Sequence, residues 1–246
     1  MSSTTHVEAS IADDPTVERI DLDAGSWVDV ARGWIHRADE LYTALTTSVD
    51  WQQGRVFRYE RWLDEPRVGS WFGRGRPYPH QVFVDAERWL SARYGVPFDG
   101  FGLAWYRDGR DSVAFHRDDD LRHCENTIVA ILSLGARRPW LVQPRGNRDR
   151  FREGYGNKAL DFRPGVGDLL VLGGRCQADW LHAVPKVPQL GRAGGRISAQ
   201  WRWTSGTGRP ETQPTYNKPR HFSRASLSGA NAPVIDRFRA KQKEGP

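Results

Sequence analysis

The hydrophobic pattern of the chain changes near residue 100. Before that point, apolar residues recur three and four residues apart in two segments, which is the period of an amphipathic helix. The first segment covers about 34 to 47 and the second about 79 to 94, where Gly95 and Pro97 supply a stop. The stretch between them is dense in arginine, glycine, proline and aromatic residues, so it predicts a short strand followed by a long irregular loop.

After residue 100 the pattern becomes a succession of short apolar strands separated by turn residues. The predicted strands are FGLAWYR, SVAFH, TIVAILSL, PWLVQP, DLLVLGG and RISAQWRW. The pair Asp108-Gly109 predicts a hairpin between the first two. Strands without long helices between them favour an antiparallel sandwich or jelly roll and disfavour a doubly wound fold.

A chain of 246 residues suits one domain with appendages. We expect a flexible tail over 1–24, an N-terminal region with the helices over 25–100, a jelly-roll core over 101–204 and a polar C-terminal tail over 205–246. No apolar run approaches the length of a membrane helix, and the N-terminus has no hydrophobic leader, so the sequence predicts a cytoplasmic protein without membrane contact. Cys124 and Cys176 are predicted to be buried thiols.

The chain carries a net charge of +6, and only five of its 36 basic residues are lysines. Arginine forms bidentate bonds to phosphate and stacks on bases, so this balance is compatible with a nucleic-acid partner. High-GC coding also enriches arginine, and charge alone therefore leaves the partner open.

The sharpest chemical feature is the segment AFHRDDD, in which His116 and Asp118 stand two residues apart at the end of a predicted strand. Side chains at i and i+2 of a strand project to one face, so both can reach one ion. His182 follows sixty-four residues beyond Asp118. Two imidazoles and one carboxylate form the facial triad of non-haem Fe(II) oxygenases. The alternative is that an isolated HxD pair contains only a surface or hydrogen-bonded histidine.

The last predicted strand has one polar face. Arg196 and Arg202 are six residues apart, so they share this face with Ser198 and Gln200. Inside a barrel, such a row needs a ligand, and a dicarboxylate would satisfy both guanidinium groups. Alternatively, the face is solvated and the arginines pair with nearby acids.

In the order and spacing of HxD, His and RxxxxxR, the chain resembles the AlkB family of Fe(II) and 2-oxoglutarate dependent dioxygenases. The similarity runs from about Pro66 to Trp203. It implies a mostly β protein with flanking α-helices and a double-stranded β-helix (jelly-roll) core, using Fe(II), 2-oxoglutarate and O₂. The iron ligands, which are also the catalytic residues, would be His116, Asp118 and His182. Arg196 would hold the distal carboxylate of 2-oxoglutarate, Arg202 would lie near its keto-acid end, and Tyr106 would donate a further hydrogen bond.

Two positions depart from the family pattern. Ala104 stands where family members commonly have asparagine, which puts one cosubstrate contact in doubt. Ser198 also replaces an asparagine, but its hydroxyl could still bind the keto acid. The departures concern cosubstrate affinity and leave the reaction type unchanged.

The segment PRVGSWFG resembles the nucleotide-recognition lid of the family, so we expect the region 25–100 to contain this lid as well as the helices. It places Trp71 and Phe72 where they could stack on an extruded base, although both could instead be core residues. Further candidates for substrate contact are Arg67, with Arg74 and Arg76 beside it, for phosphates; Asp120 for the target base; and, more weakly, Arg137 and Arg138.

The resemblance implies oxidative demethylation of alkylated nucleobases in DNA or RNA by a monomeric enzyme. One alternative is an oxygenase of the same fold that hydroxylates a small molecule or a protein side chain. Another is a catalytically silent nucleic-acid binder, which the complete triad disfavours.

Overall fold

The computed structural model describes residues 8–73, 75–98, 100–118, 121, 123–146, 159–187, 194–208, 210 and 220–224. The helices are α1 (Ala38–Ser48), α2 (Gln81–Tyr94) and α3 (Cys176–Asp179). The strands are β1 (Ser10–Ile11), β2 (Glu18–Asp23), β3 (Ser26–Ala31), β4 (Ile35–His36), β5 (Gln52–Arg58), β6 (Arg61–Phe72), β7 (Phe101–Tyr106), β8 (Val113–His116), β9 (Thr127–Gly135), β10 (Leu141–Pro144), β11 (Leu160–Asp161), β12 (Asp168–Gly174), β13 (Trp180–Val184), β14 (Arg196–Thr204) and β15 (Arg220–Arg224).

Two antiparallel sheets face each other, which confirms the predicted jelly roll. Within the described ranges, the large sheet has nine strands in the order β15-β5-β6-β7-β14-β9-β12-β3-β2. The small sheet has four strands in the order β11-β10-β13-β8. Strands β9 and β12 are apolar and buried along nearly their whole length, because helices cover one face of the large sheet and the small sheet covers the other.

Helices α1 and α2 contribute their apolar stripes to the core on the outer face of the large sheet. The second helix ends as predicted, because Gly95 adopts a positive φ of 66° that terminates the helix. The first helix begins at Ala38, later than expected, because Ile35–His36 pairs with β1 as a short strand. A second core lies between the two sheets and surrounds the predicted site.

Two expectations about the first part of the chain are wrong. The predicted flexible tail 1–24 contains β1 and β2, and β2 forms the edge of the large sheet beside β3. The predicted irregular loop after residue 55 is a hairpin of β5 and β6, closed by Tyr59 and Glu60 with positive φ. The region 25–100 therefore supplies strands to the main sheet as well as helices. The local sequence does not reveal these strands, because their apolar residues become buried only after segments distant in the chain have folded.

Two further expectations are corrected. The turn at Asp108-Gly109 does not close a hairpin, because β7 belongs to the large sheet and β8 to the small one. Part of the predicted C-terminal tail, Arg220–Arg224, is a strand paired with β5. Cys124 and Cys176 are free and buried, as predicted. A search of the described residues finds no helix long and apolar enough to cross a membrane.

Candidate active site

The three predicted metal ligands meet at one end of the small sheet. Strands β8 and β13 are neighbours, and their register places His116 directly opposite His182. Asp118 follows β8 by two residues, and its Oδ1 lies 4.0 Å from His116 Nε2 and 3.7 Å from His182 Nε2. One ligand atom from each of the three residues lies within 4.8 Å of the other two. This spacing suits one shared cation.

The surroundings keep the three groups in the protonation states that bind a metal. Burial is the largest single effect on Asp118 and opposes its ionisation, but the charge and hydrogen bond of Arg202 together with the two imidazoles outweigh it and hold the pKa of the carboxyl well below its usual range. Burial, with the nearby charge of His116, lowers the pKa of His182 to about 3, so its imidazole is neutral. His116 Nδ1 lies 2.9 Å from the carbonyl of Ala114, which leaves Nε2 directed at the site when Nδ1 carries the proton.

Further side chains hold Asp118 in place. Arg202 Nε donates to Asp118 Oδ2 at 2.9 Å, and Arg202 Nη2 donates to the side-chain oxygen of Gln200. The backbone N–H of Asp118 donates to Gln177 Oε1 at 2.9 Å. Gln177 is buried on α3, and the sequence analysis missed it. No short motif connects Gln177 to Asp118, since only the packing of α3 against the loop after β8 brings them together.

Arg196 lies fully buried at the start of β14, where it pairs with Tyr106 of β7. Its Nη2 donates to Ser133 Oγ at 2.9 Å, while Nε and Nη1 have no hydrogen-bond partner among the described residues. Burial lowers the pKa of this guanidinium to about 10. A buried cation with two unused donors is costly unless an anion binds it. The donor set therefore fits the carboxylate of 2-oxoglutarate.

The polar face of β14 lines a cavity of about 1130 Å³ between the sheets. The triad, Ser198, Gln200 and Arg202 all border this cavity, with Tyr106 in its wall. The alternative of a solvated face with paired arginines holds only in part: Arg196 and Ser198 are buried, whereas Arg202 does pair with the nearby acid Asp118. The opposite face of β14 packs into the helix-side core, as its apolar residues require.

The two aromatic residues proposed for base stacking have different environments. Trp71 is 49% exposed and borders the cavity, with its ring against Gly102. Phe72 is 6% exposed and stacks on Phe101 with ring centroids 5.1 Å apart. Successive residues of a strand project to opposite faces, so only one of the pair can reach the cavity. This corrects the expectation for Phe72, which belongs to the core.

The other predicted substrate contacts are dispersed. Arg67 lines the cavity beside Tyr106, whereas Arg76 is exposed at its rim. Arg137 donates to the carbonyl of Arg163 on the surface. Arg138 is buried and donates to three backbone carbonyls, those of Asp108, Asp111 and Pro185, which is a structural role. Arg74 and Asp120 lie outside the described residues.

A jelly roll that holds a His-Asp-His cluster at its small sheet and a buried guanidinium with two unpartnered donors on its large sheet has the features of metal-dependent oxygenases that use a carboxylate cosubstrate. The chain belongs to the 2OG-Fe(II) oxygenase superfamily, whose family model matches residues 38–209. That family implies Fe(II), 2-oxoglutarate and O₂, and the donor set described above fits both bound groups.

Curated relatives confirm the resemblance to AlkB proteins. The chain is 30% identical over 167 residues to the human alpha-ketoglutarate-dependent dioxygenase alkB homolog 3, covering 62% of this chain and 57% of the relative. It is 24% identical over 170 residues to the human DNA oxidative demethylase ALKBH2, covering 60% of this chain and 62% of the relative. The chain thus spans little more than half the length of these relatives.

A solved structure with a similar fold is a prolyl hydroxylase from Trichoplax adhaerens, in complex with a peptide fragment of the hypoxia inducible factor oxygen degradation domain. The TM-score is 0.51 at 12% sequence identity, with 72% of this chain and 83% of that chain covered. At this identity the similarity concerns the fold alone.

Proposed function

We propose that this protein is an Fe(II) and 2-oxoglutarate dependent dioxygenase that oxidatively demethylates N-methylated bases in nucleic acid. One observation carries the proposal: a single cavity joins the His-Asp-His cluster, the polar residues Ser198, Gln200 and Arg202 of β14, and the exposed indole of Trp71. The name of the human relative, DNA oxidative demethylase ALKBH2, supports the substrate class.

His116, Asp118 and His182 would hold the metal, and Arg196 would bind the distal carboxylate of 2-oxoglutarate. When bound, Fe(II) and 2-oxoglutarate would supply the chemistry by which O₂ hydroxylates the N-methyl carbon, one oxygen atom entering the new hydroxyl group and the other entering succinate, with release of CO₂. The hydroxymethyl group then leaves as formaldehyde, and the base is restored. The protein contributes by keeping Asp118 ionised and His182 neutral, so that all three ligands are available.

Trp71 would orient the substrate. Its exposed ring lies against Gly102, on the same side of the large sheet as the polar row of β14. A base stacked on this indole is held at the mouth of the cavity, next to the triad. Such stacking is worth roughly 1–3 kcal/mol and tolerates different bases, so it positions the methyl group without selecting one nucleotide.

One chain supplies every group in this account, which supports a monomeric enzyme. Sedimentation of the metal-loaded protein with and without oligonucleotide tests the monomer. A dimer whose dissociation abolishes turnover would count against it.

The function is tested with a pool of single-stranded and duplex oligonucleotides carrying N-methylated bases. The protein is incubated with Fe(II), 2-oxoglutarate and air, and the products are analysed by mass spectrometry together with succinate and formaldehyde. We expect demethylated oligonucleotide, succinate and formaldehyde to be formed together.

The matched control is Asp118→Asn, which keeps the size of the side chain and removes the charge from the site. It should release no succinate above background. Succinate release by the wild type without demethylated oligonucleotide would favour hydroxylation of a small molecule or protein side chain instead. Absence of both products in the metal-loaded protein would overturn the proposed chemistry.

A further inference from the structure

The cavity face of the large sheet presents its side chains in rows that run across the strands. One row, two residues along β14 from Arg196, contains only small residues and leaves space for the cosubstrate. The next row contains the indole proposed to hold the base. The register of β14 with β7 and of β7 with β6 defines the first row as Ser198, Ala104 and Gly69, and the second as Gln200, Gly102 and Trp71, all of which line the cavity.

The second row has no side chain at its centre. A Cβ at Gly102 would lie 3.1 Å from Trp71 Cε3 and 3.3 Å from Trp71 Cζ3, so the six-membered ring of the indole covers this glycine. Neighbouring strands are roughly 4.8 Å apart, which puts the backbone of Gln200 about 10 Å from that of Trp71. The indole spans much of this distance. A base stacked on the indole therefore has one edge next to the side chain of Gln200.

The side-chain amide of Gln200 has a defined orientation. Its Oε1 accepts a hydrogen bond from Arg202 Nη2. Because a guanidinium has only donors, the atom that faces it must be the amide oxygen, and the two N–H donors of Nε2 are directed elsewhere. Nε2 has no hydrogen-bond partner in the described part of the chain, and the side chain of Ile131, beside Gln200 on β9, is apolar. The amide nitrogen of Gln200 is therefore available to a ligand in the cavity.

A pair of N–H donors at this place distinguishes bases by their carbonyl oxygens. In thymine, cytosine and guanine, the ring nitrogen on the Watson–Crick edge stands next to a carbonyl group. In adenine it stands next to an amino group, which is a donor. Methylation of the ring nitrogen leaves these groups in place. Next to Gln200 Nε2, a carbonyl oxygen accepts a hydrogen bond, whereas the amino group of adenine meets another donor.

We propose that Gln200 is a specificity-determining residue, whose Nε2 donates to a carbonyl oxygen beside the methylated ring nitrogen and so favours bases with this group over 1-methyladenine. The inference rests on the proposed demethylation of a base stacked on Trp71. It gives the two ends of one amide separate tasks. The oxygen supports Arg202, which holds Asp118, and the nitrogen contacts the substrate.

The test compares two single-stranded oligonucleotides that differ in one exocyclic group. One carries 1-methylhypoxanthine, with a carbonyl group beside the methylated nitrogen, and the other carries 1-methyladenine, with an amino group in the same place. Fluorescence anisotropy gives the Kd of each on protein loaded with Mn(II) and 2-oxoglutarate in the absence of O₂, so that no turnover occurs. The two bases also differ in charge, so the decisive quantity is the change in the ratio of the two Kd values on substitution of Gln200.

For Gln200→Met we expect the Kd of the hypoxanthine oligonucleotide to rise at least about fivefold, because its carbonyl oxygen loses a donor. The Kd of the adenine oligonucleotide should stay the same or fall. The matched control is Gln177→Met, the same substitution at a glutamine that also supports Asp118 but is not among the described residues that line the cavity. It should leave the ratio of the two Kd values unchanged.

An unchanged ratio in Gln200→Met would overturn the inference, because the glutamine would then act only through Arg202 and Asp118. An unchanged ratio with a raised Kd of 2-oxoglutarate in calorimetry would assign the amide to the cosubstrate and would also overturn it. If Gln200→Met fails to bind Mn(II), Gln200→Glu decides, since it keeps an oxygen for Arg202 and loses both donors. A wild-type ratio in that variant would again contradict the proposal.

The proposed function fails in a different way. If the wild type binds neither methylated oligonucleotide more tightly than an unmethylated one, the demethylation of bases is itself rejected. If it binds both methylated oligonucleotides and only the effect of Gln200 on their ratio is missing, the proposed function stands and the role of Gln200 is rejected.

Discussion

Replacement of Arg196 by methionine should have opposite effects on stability and on cosubstrate binding. Methionine is unbranched and apolar, so it fills most of the same space without a charge. In the protein free of metal and cosubstrate, Arg196 is buried with two donors unpartnered. The arginine therefore destabilises the protein without ligands and makes a favourable contribution only when an anion is bound.

The size of both effects follows from the structure. Burial lowers the pKa of Arg196 to about 10. At roughly 1.4 kcal/mol per tenfold change in the proton equilibrium, this shift means that the buried charge destabilises the folded protein by about 3 kcal/mol. Two effects of the substitution reduce this gain in stability by about 1 kcal/mol each: the loss of the hydrogen bond to Ser133 and the incomplete filling of the space by methionine. The net gain is about 1 kcal/mol, or about 2–4 °C in Tm. Loss of two charged hydrogen bonds should weaken 2-oxoglutarate binding about 100-fold.

Thermal unfolding of the protein without metal, followed by calorimetry with Mn(II) and 2-oxoglutarate, measures both quantities. The control is Arg138→Met, the same substitution at another buried guanidinium. Arg138 donates to the carbonyls of Asp108, Asp111 and Pro185, so its removal leaves buried acceptors unpaired and should lower Tm.

An Arg196→Met variant that unfolds as early as Arg138→Met, or that binds 2-oxoglutarate as tightly as wild type, would refute this reasoning. The first result would mean that Arg196 is satisfied within the protein. The second would mean that the cosubstrate carboxylate binds elsewhere.

Three further predictions concern the mouth of the cavity and the metal ligands. In fluorescence anisotropy, Trp71→Ala should raise the Kd of a methylated oligonucleotide about 5- to 100-fold. The affinity for 2-oxoglutarate should stay unchanged, and Trp71→Phe should retain most of the oligonucleotide binding. A Cβ at position 102 would lie 3.1 Å from Trp71 Cε3, so Gly102→Val should displace the indole and weaken oligonucleotide binding without affecting Mn(II) affinity. Burial and His116 lower the pKa of His182 to about 3, so the unfolded chain takes up a proton that the metal-free folded protein excludes. The free energy of unfolding should therefore decrease as the pH falls from about 6.5 towards 3. Urea unfolding across this range should show a smaller decrease for His182→Gln than for wild type. Identical pH profiles for the two proteins would contradict the assignment.

Much of the fold could be predicted from the sequence because its strands are locally periodic. The six strands expected after residue 100 are present, and β14 shows why: its alternating polar and apolar residues separate the cavity from the helix-side core. The strands β2 and β5, in contrast, carry weak local patterns at the sheet edges. Their pairing with β3 and β6 depends on contacts between segments that the local sequence does not specify.

The same division applies to the site. The sequence by itself paired His116 with Asp118 and Arg196 with Arg202, because residues two or six apart on a strand share a face whatever the rest of the chain does. His182 entered the predicted ligand set through the family resemblance. Only the tertiary structure decided that Trp71 faces the cavity while Phe72 enters the core, and that Gln177 holds Asp118. These contacts join strands and loops far apart in the chain, so they exist only once the two sheets have closed on each other.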